Sequence, residues 1–124
     1  MARSLAASTL KRFRKMLEDE QARLTEVIRD IEEEQEELRL SETSAERSPD
    51  PNTAEGGSLA FEIEKELSLL ENAKDLLAQS DAALERIDDG SYGICAHCGR
   101  SIPVARLEAL PHTKLCVDCS AARH

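Results

Sequence analysis

Leucine and isoleucine recur along this chain at intervals of seven. Leu10, Leu17, Leu24, Ile31 and Leu38 form one row, and Ile63, Leu70, Leu77 and Leu84 form a second. A seven-residue period underwinds an α-helix just enough to keep one stripe facing a partner, so each row is a coiled-coil seam. In the first row the other core position of the heptad holds Phe13 and Val27 in two repeats, and Glu20 and Glu34 in the others. In the second, Leu69, Ala73, Leu76, Ala83 and Ile87 widen the apolar stripe, while Glu64, Glu71, Asp75 and Glu85 take the remaining faces. The pattern predicts helices over about 10–40 and 58–89. The first would be roughly 45 Å long at about 1.5 Å per residue. Ser58 suits an N-cap, and Gly90 suits the left-handed residue after a last turn.

Between the rows, residues 41–57 read SETSAERSPDPNTAEGG. Pro49, Pro51, Gly56 and Gly57 do not readily continue a helix, and Ser, Thr, Asp and Asn supply turn chemistry. Two helices of matched length joined by one breaker should fold back on each other. The expected architecture is mainly α: a long antiparallel coiled-coil hairpin over residues 1–90 with its tip at 41–57, followed by a small module over 91–124. Seams of this kind also serve association between chains, so a dimerising coiled coil stands as the alternative. The run Glu32–Glu33–Glu34–Gln35–Glu36–Glu37 is read as a solvated face.

Composition supports thin helices over a globular core. Charged residues make up 33% of the chain, Trp is absent, and the aromatics are Phe13, Phe61 and Tyr92. The start has no signal-peptide pattern and no stretch is apolar enough for a membrane helix, which implies a cytoplasmic protein with no membrane partner. The net charge of −9 is uneven. Residues 1–15 carry five basic and no acidic side chains, 16–47 four basic and twelve acidic, 48–90 three and eleven, and 91–124 four and two. Two acidic arms make a poor binder of duplex phosphates. The basic face of another protein is the better-matched partner, and no direct sequence-specific DNA binding is expected.

The strongest local signal is chemical. Cys95-Ala-His-Cys98 and Cys116-Val-Asp-Cys119 are two tight knuckles separated by seventeen residues. Each knuckle presents two thiolates, and two knuckles complete a tetrahedron around one zinc ion. Gly99 gives the first knuckle backbone freedom. Four thiolates leave the zinc site at −2, offset by Arg100, Arg106, Lys114 and Arg123. Such a site has no open position, so the metal is structural. A redox pair would want a βαβ context, and an iron–sulfur cluster could use the same ligands; two matched knuckles favour the single ion. His97 and His112 are read as surface residues.

Within the module, Tyr92, Ile94, Ile102, Leu107, Leu110 and Leu115 are the expected core. Pro103 can open a short helix through Arg106 and Leu107, Pro111 can end it, and Ser120–His124 reads as the start of another. There is no nucleophile constellation, phosphate loop or HExxH motif, so no enzyme is expected.

The stretch Gly90-Ser91-Tyr92-Gly93-Ile94-Cys95-Ala96-His97-Cys98-Gly99, then Ile102, Arg106-Leu107-Glu108-Ala109, Pro111 and Leu115-Cys116-Val117-Asp118-Cys119, resembles the DksA/TraR family of four-cysteine zinc-finger regulators. The likeness is close over about 88–120 and architectural over the hairpin. It implies a bacterial, monomeric transcription regulator that binds RNA polymerase directly. The hairpin tip would enter the secondary channel, and Arg100, Arg106 and Lys114 would offer finger contacts. The family's tip carries two acids three apart and then Ala two further on; here the corresponding residues are Asp50, Thr53, Ala54 and Glu55, with Thr53 in place of the second acid and the Ala one position early. Members that respond to guanosine tetraphosphate use basic residues where this chain has Gln79, Leu110 and Ser120. The alternative from the residues alone is a zinc-stabilised coiled-coil adaptor or dimerisation protein acting on another partner.

Overall fold

The computed structural model describes residues 5–44 and 54–122. Helices α1 (Ala7–Ser44) and α2 (Ala54–Asp89) are followed by two short ones, α3 (Val104–Ala109) and α4 (Val117–Ala122). Among the described residues there is no strand, only an isolated bridge between Ile94 and Ser101. No helix among them is long and apolar enough to cross a membrane.

Both long helices outrun the expected bounds at the loop end. α1 continues past Leu40 to Ser44, and α2 starts at Ala54, so Gly56 and Gly57 are helical and Ser58 is not a cap. The first-turn N–H groups have no intrahelical acceptor to lose, and the cost of glycine, about 1 kcal/mol per interior residue, is absorbed by a helix of this length. After Leu40, no Pro or Gly occurs until Pro49, so nothing stops the first helix there. The other end of α2 is as expected. Gly90 takes φ 85°, and the N–H groups of Ser91 and Tyr92 both reach the Arg86 carbonyl, at 2.9 and 3.0 Å.

The chain forms two compact units. The first joins Met1–Arg23 to Leu76–His124. In it the start of α1 and the end of α2 run antiparallel, with Arg14 paired to Asp88 at 2.5 Å and Gln21 hydrogen-bonded to Asp81. Phe13, Leu17, Ala83 and Ile87 from these helices share one buried cluster with Tyr92, Cys95, Ile102 and Leu107. The expected boundary at residue 90/91 is therefore not a boundary between cores. A segment this short cannot enclose enough apolar surface alone, and it borrows Phe13 and Leu17 to do so. Of the expected module core, Tyr92, Ile102 and Leu107 are buried and Leu115 packs against them, whereas Ile94 is half-buried and Leu110 is 39% exposed. Leu110 follows α3, where the chain turns toward Pro111 and its side chain leaves the cluster.

Glu20, an acid at a core position of the heptad, is accommodated by turning to Arg23, whose Nη2 and Nε donate to its two oxygens at 2.6 and 3.0 Å. That pairing holds the Glu20 carboxyl below its ordinary value. On the same unit's stretch of α2, Ser80 is fully buried and its hydroxyl has no partner.

The second unit is Leu24–Asp75. Its helix segments also run antiparallel, with Lys74 paired to Glu32 at 3.4 Å. Here the seam is thin. Leu24, Leu70 and Ala73 are buried and Ile31 and Ile63 half-buried, but Leu38 is 38% exposed. Leu69, expected in the stripe, is 50% exposed, because Leu70 and Ala73 fill the seam and turn the residue beside them outward.

Candidate metal centre

The four cysteines come from two turns that the first unit holds together. Cys95 N–H donates to the Arg100 carbonyl at 2.8 Å and Gly99 N–H returns to the Cys95 carbonyl at 3.0 Å, closing the first knuckle. Gly99 has φ 75°, which an L side chain adopts only with strain, so the glycine expected there is required. The second knuckle sits on α4, which starts at Val117 and carries Cys119, three residues earlier than the helix expected from Ser120. Its N-terminal turn aims Cys119 N–H at Cys116 Sγ, 3.5 Å away. The two knuckles are tied by Ala96 N–H to the Lys114 carbonyl at 2.8 Å.

As a result the sulfurs of Cys95, Cys98, Cys116 and Cys119 all lie within 4.8 Å of one another, with Cys98 and Cys116 at 3.8 Å. Cys95 is buried, Cys116 and Cys119 are half-buried, and Cys98 is exposed. Burial works against ionisation of Cys95. Backbone N–H groups of Cys98, Cys116 and His97 outweigh it and bring that thiol down to about 5. Cys119 goes the other way, pushed up to about 12 by burial and by the neighbouring sulfurs of Cys116, Cys95 and Cys98. A cluster that favours one thiolate and resists the last lacks positive charge, and a dication supplies it. The residues fit one structural zinc ion. When bound, it holds both knuckles through four thiolates and offers no open position for substrate.

Arginines order the segment between the knuckles. Arg106 donates from Nε to the Leu115 carbonyl at 3.0 Å, directly before Cys116. Arg86, which the sequence pattern did not single out, is half-buried and donates from Nη2 to the carbonyls of His112 and Thr113, both at 3.3 Å. Its signal was there, as the one basic residue in the last turn of α2. Tyr92 adds its hydroxyl to the Pro111 carbonyl at 2.7 Å. Arg100 and Lys114 are exposed, whereas Arg106 is half-buried and committed to Leu115. Gln79 and Ser120 are half-buried, and Leu110 is exposed. His97 is exposed and His112 half-buried. Asp50 and Thr53 lie outside the described residues, while Ala54 and Glu55 open α2.

A helical pair joined to a four-thiolate finger by a shared core defines a zinc-finger protein of coiled-coil type. Sequence comparison narrows that class. The profile of the prokaryotic dksA/traR C4-type zinc finger matches residues 90–123. An uncharacterised protein of Aquifex aeolicus is 37% identical over 116 residues, covering 90% of this chain and 73% of that one. The RNA polymerase-binding transcription factor DksA of Escherichia coli K12 is 32% identical over 69 residues, covering 56% of this chain and 46% of the relative, so this chain matches just under half of that factor. The solved transcription factor DksA2 of Pseudomonas aeruginosa superposes with a TM-score of 0.74 at 30% identity, covering 94% of this chain and 84% of that one. The chain belongs to the DksA/TraR family of zinc-finger proteins.

Proposed function

We propose that this protein is a transcription regulator that binds RNA polymerase directly, with the hairpin tip entering the secondary channel and the finger remaining outside. The observation that carries this proposal is the likeness to DksA2, which spans helices and finger together. Charge supports it. The two arms carry four basic against twelve acidic and three basic against eleven acidic side chains, a distribution suited to a channel lined by basic groups. In this proposal zinc gives form and takes no part in chemistry. The protein acts as a monomer in the cytoplasm, and its effect on transcription lies at the tip, through Asp50 and Glu55 with Thr53 and Ala54 shaping the turn. Arg100 and Lys114 are exposed and available to a partner's acidic groups.

The test is co-purification with RNA polymerase at low salt, repeated with a variant lacking residues 48–56. The intact chain should be retained and should compete with other secondary-channel factors. Failure to bind at all would sink the proposal. Replacing Asp50 and Glu55 by Ala should weaken the effect on transcription more than the binding, and equal loss of both would count against a role at the tip.

A further inference from the structure

Within the second unit, an open groove of about 430 Å³ lies between α1 and α2. Its apolar surface comes from Leu38, Leu59 and Ile63, and its charged groups are Glu34 and Glu37 of α1 with Glu62 and Glu66 of α2. Among the described residues no lysine or arginine lines it. Among the described residues of this unit, the cations held in ion pairs are directed elsewhere: Arg29 to Glu26 and Asp30, Arg39 to Glu36, Lys74 to Glu32. Glu66 is half-buried, and its Oε2 is fully buried with no donor in reach. The group it faces across the seam is another carboxyl, Glu34.

We propose that Glu66 and Glu34 share one proton and so fasten the two helices of this unit, which loosen when the proton is lost. Two carboxylates are both acceptors and make no hydrogen bond. With a proton between them one becomes a donor, and the buried oxygen gains a use. Without it, four carboxylates share a groove with an apolar floor and, among the described residues, no lining cation to offset them. The exposed Leu38 shows how little apolar packing this segment has to hold it otherwise.

The direction in pH follows. Burial first, then Glu34 and Glu62, raise the Glu66 carboxyl above its ordinary value of 4.5. The folded unit therefore holds the proton more tightly than the unfolded one. The fastening is complete below the ordinary carboxylate range and is lost as pH rises through the raised value.

The experiment uses the whole zinc-loaded chain and needs no partner. Side-chain carbonyl NMR gives the titration midpoint of each glutamate. Amide hydrogen exchange, expressed as protection over the intrinsic rate, follows opening in each unit. Glu66 should titrate above the ordinary carboxylate value. Protection in 31–38 and 59–66 should rise as pH falls, by up to about tenfold per pH unit for one linked proton. Amides around Phe13 and Ala83 should hold steady and certify the fold. In Glu66→Gln, which keeps the shape and supplies a permanent donor, that protection should be high and flat with pH, and Glu34→Gln should behave alike. The proposal is overturned if Glu66 titrates at or below the ordinary carboxylate value, or if either variant retains the wild-type pH dependence.

Discussion

The chain has two phenylalanines, and the structure gives them opposite fates, which makes a controlled experiment. Phe13 is 0% exposed and Phe61 is 69% exposed, both on long helices. The Phe13 ring lies 5.7 Å from the Tyr92 ring centroid at 48°, with the Arg12 guanidinium carbon 5.0 Å from its own centroid. It belongs to the cluster that contains Cys95. Phe13→Ala should therefore cost about 3–5 kcal/mol, the usual range for emptying a fully buried ring site. Phe61→Ala should change stability by no more than about 0.5 kcal/mol. Because finger and helices share a core, much of the Phe13 loss should reach the metal. Each ~1.4 kcal/mol coupled to binding weakens zinc affinity tenfold, so a drop of about 100-fold or more is expected. A competing chromogenic chelator measures that affinity, and urea unfolding followed by ellipticity measures stability. Should Phe13→Ala not fold, Phe13→Leu, expected to cost roughly 1–1.5 kcal/mol, keeps the comparison open. If Phe13→Ala bound zinc as tightly as wild type and Phe61→Ala, the finger would fold on its own core and the shared-core account would be wrong.

Ser80→Ala removes a buried hydroxyl that has no partner, so the urea midpoint should rise, by about 1 kcal/mol in stability; an unchanged or lower midpoint would mean the hydroxyl is satisfied. Arg86→Met keeps the stem but loses donors to the His112 and Thr113 carbonyls. It should cost about 1–3 kcal/mol and speed zinc loss to the chelator. Stripping zinc should abolish the near-ultraviolet signal of Tyr92, the one tyrosine, while most far-ultraviolet helix signal survives; parallel loss of both would show that the long helices also depend on metal. Breaking the Arg12–Glu108 pair, at 3.1 Å but with both side chains about half exposed, by Glu108→Gln should shift stability by less than about 1 kcal/mol.

Much of this fold was legible because it rests on rules that read locally. The heptads located both long helices, the two CxxC pairs located the metal centre, Gly90 took the positive φ expected of it, and Gly99 used the backbone freedom expected at its knuckle. What escaped was non-local. Nothing in the spacing of Tyr92, Ile102 and Leu107 reveals that they close over Phe13 and Leu17, which precede them by some eighty residues. Arg86 looked like one charge on an amphipathic helix, and only the fold shows two carbonyls of the inter-knuckle loop at its Nη2. The helix ends near the loop differ from their local signals for another reason. Gly56 and Gly57 read locally as breakers, but a long helix with one good face carries them in its first turns.

Burial differs sharply between the two units, and the difference bears on what each can do. In the first, Phe13, Leu17, Ala83 and Leu107 are all at or below 1% exposure. In the second, Leu38, Leu40, Phe61, Leu67 and Leu69 are each at least 38% exposed. A segment with few buried apolar contacts opens at low free energy, well below the stability of the whole. That suits the arm proposed to enter a partner. Its apolar side chains are not consumed by a core of its own, and its order can be settled by what it meets. The metal and the shared core carry the opposite task of keeping the first unit fixed. On that division, substitutions around Phe13 or the cysteines should act through stability, and substitutions in the second unit through recognition, which makes the two separable by measuring unfolding and polymerase binding on the same variants.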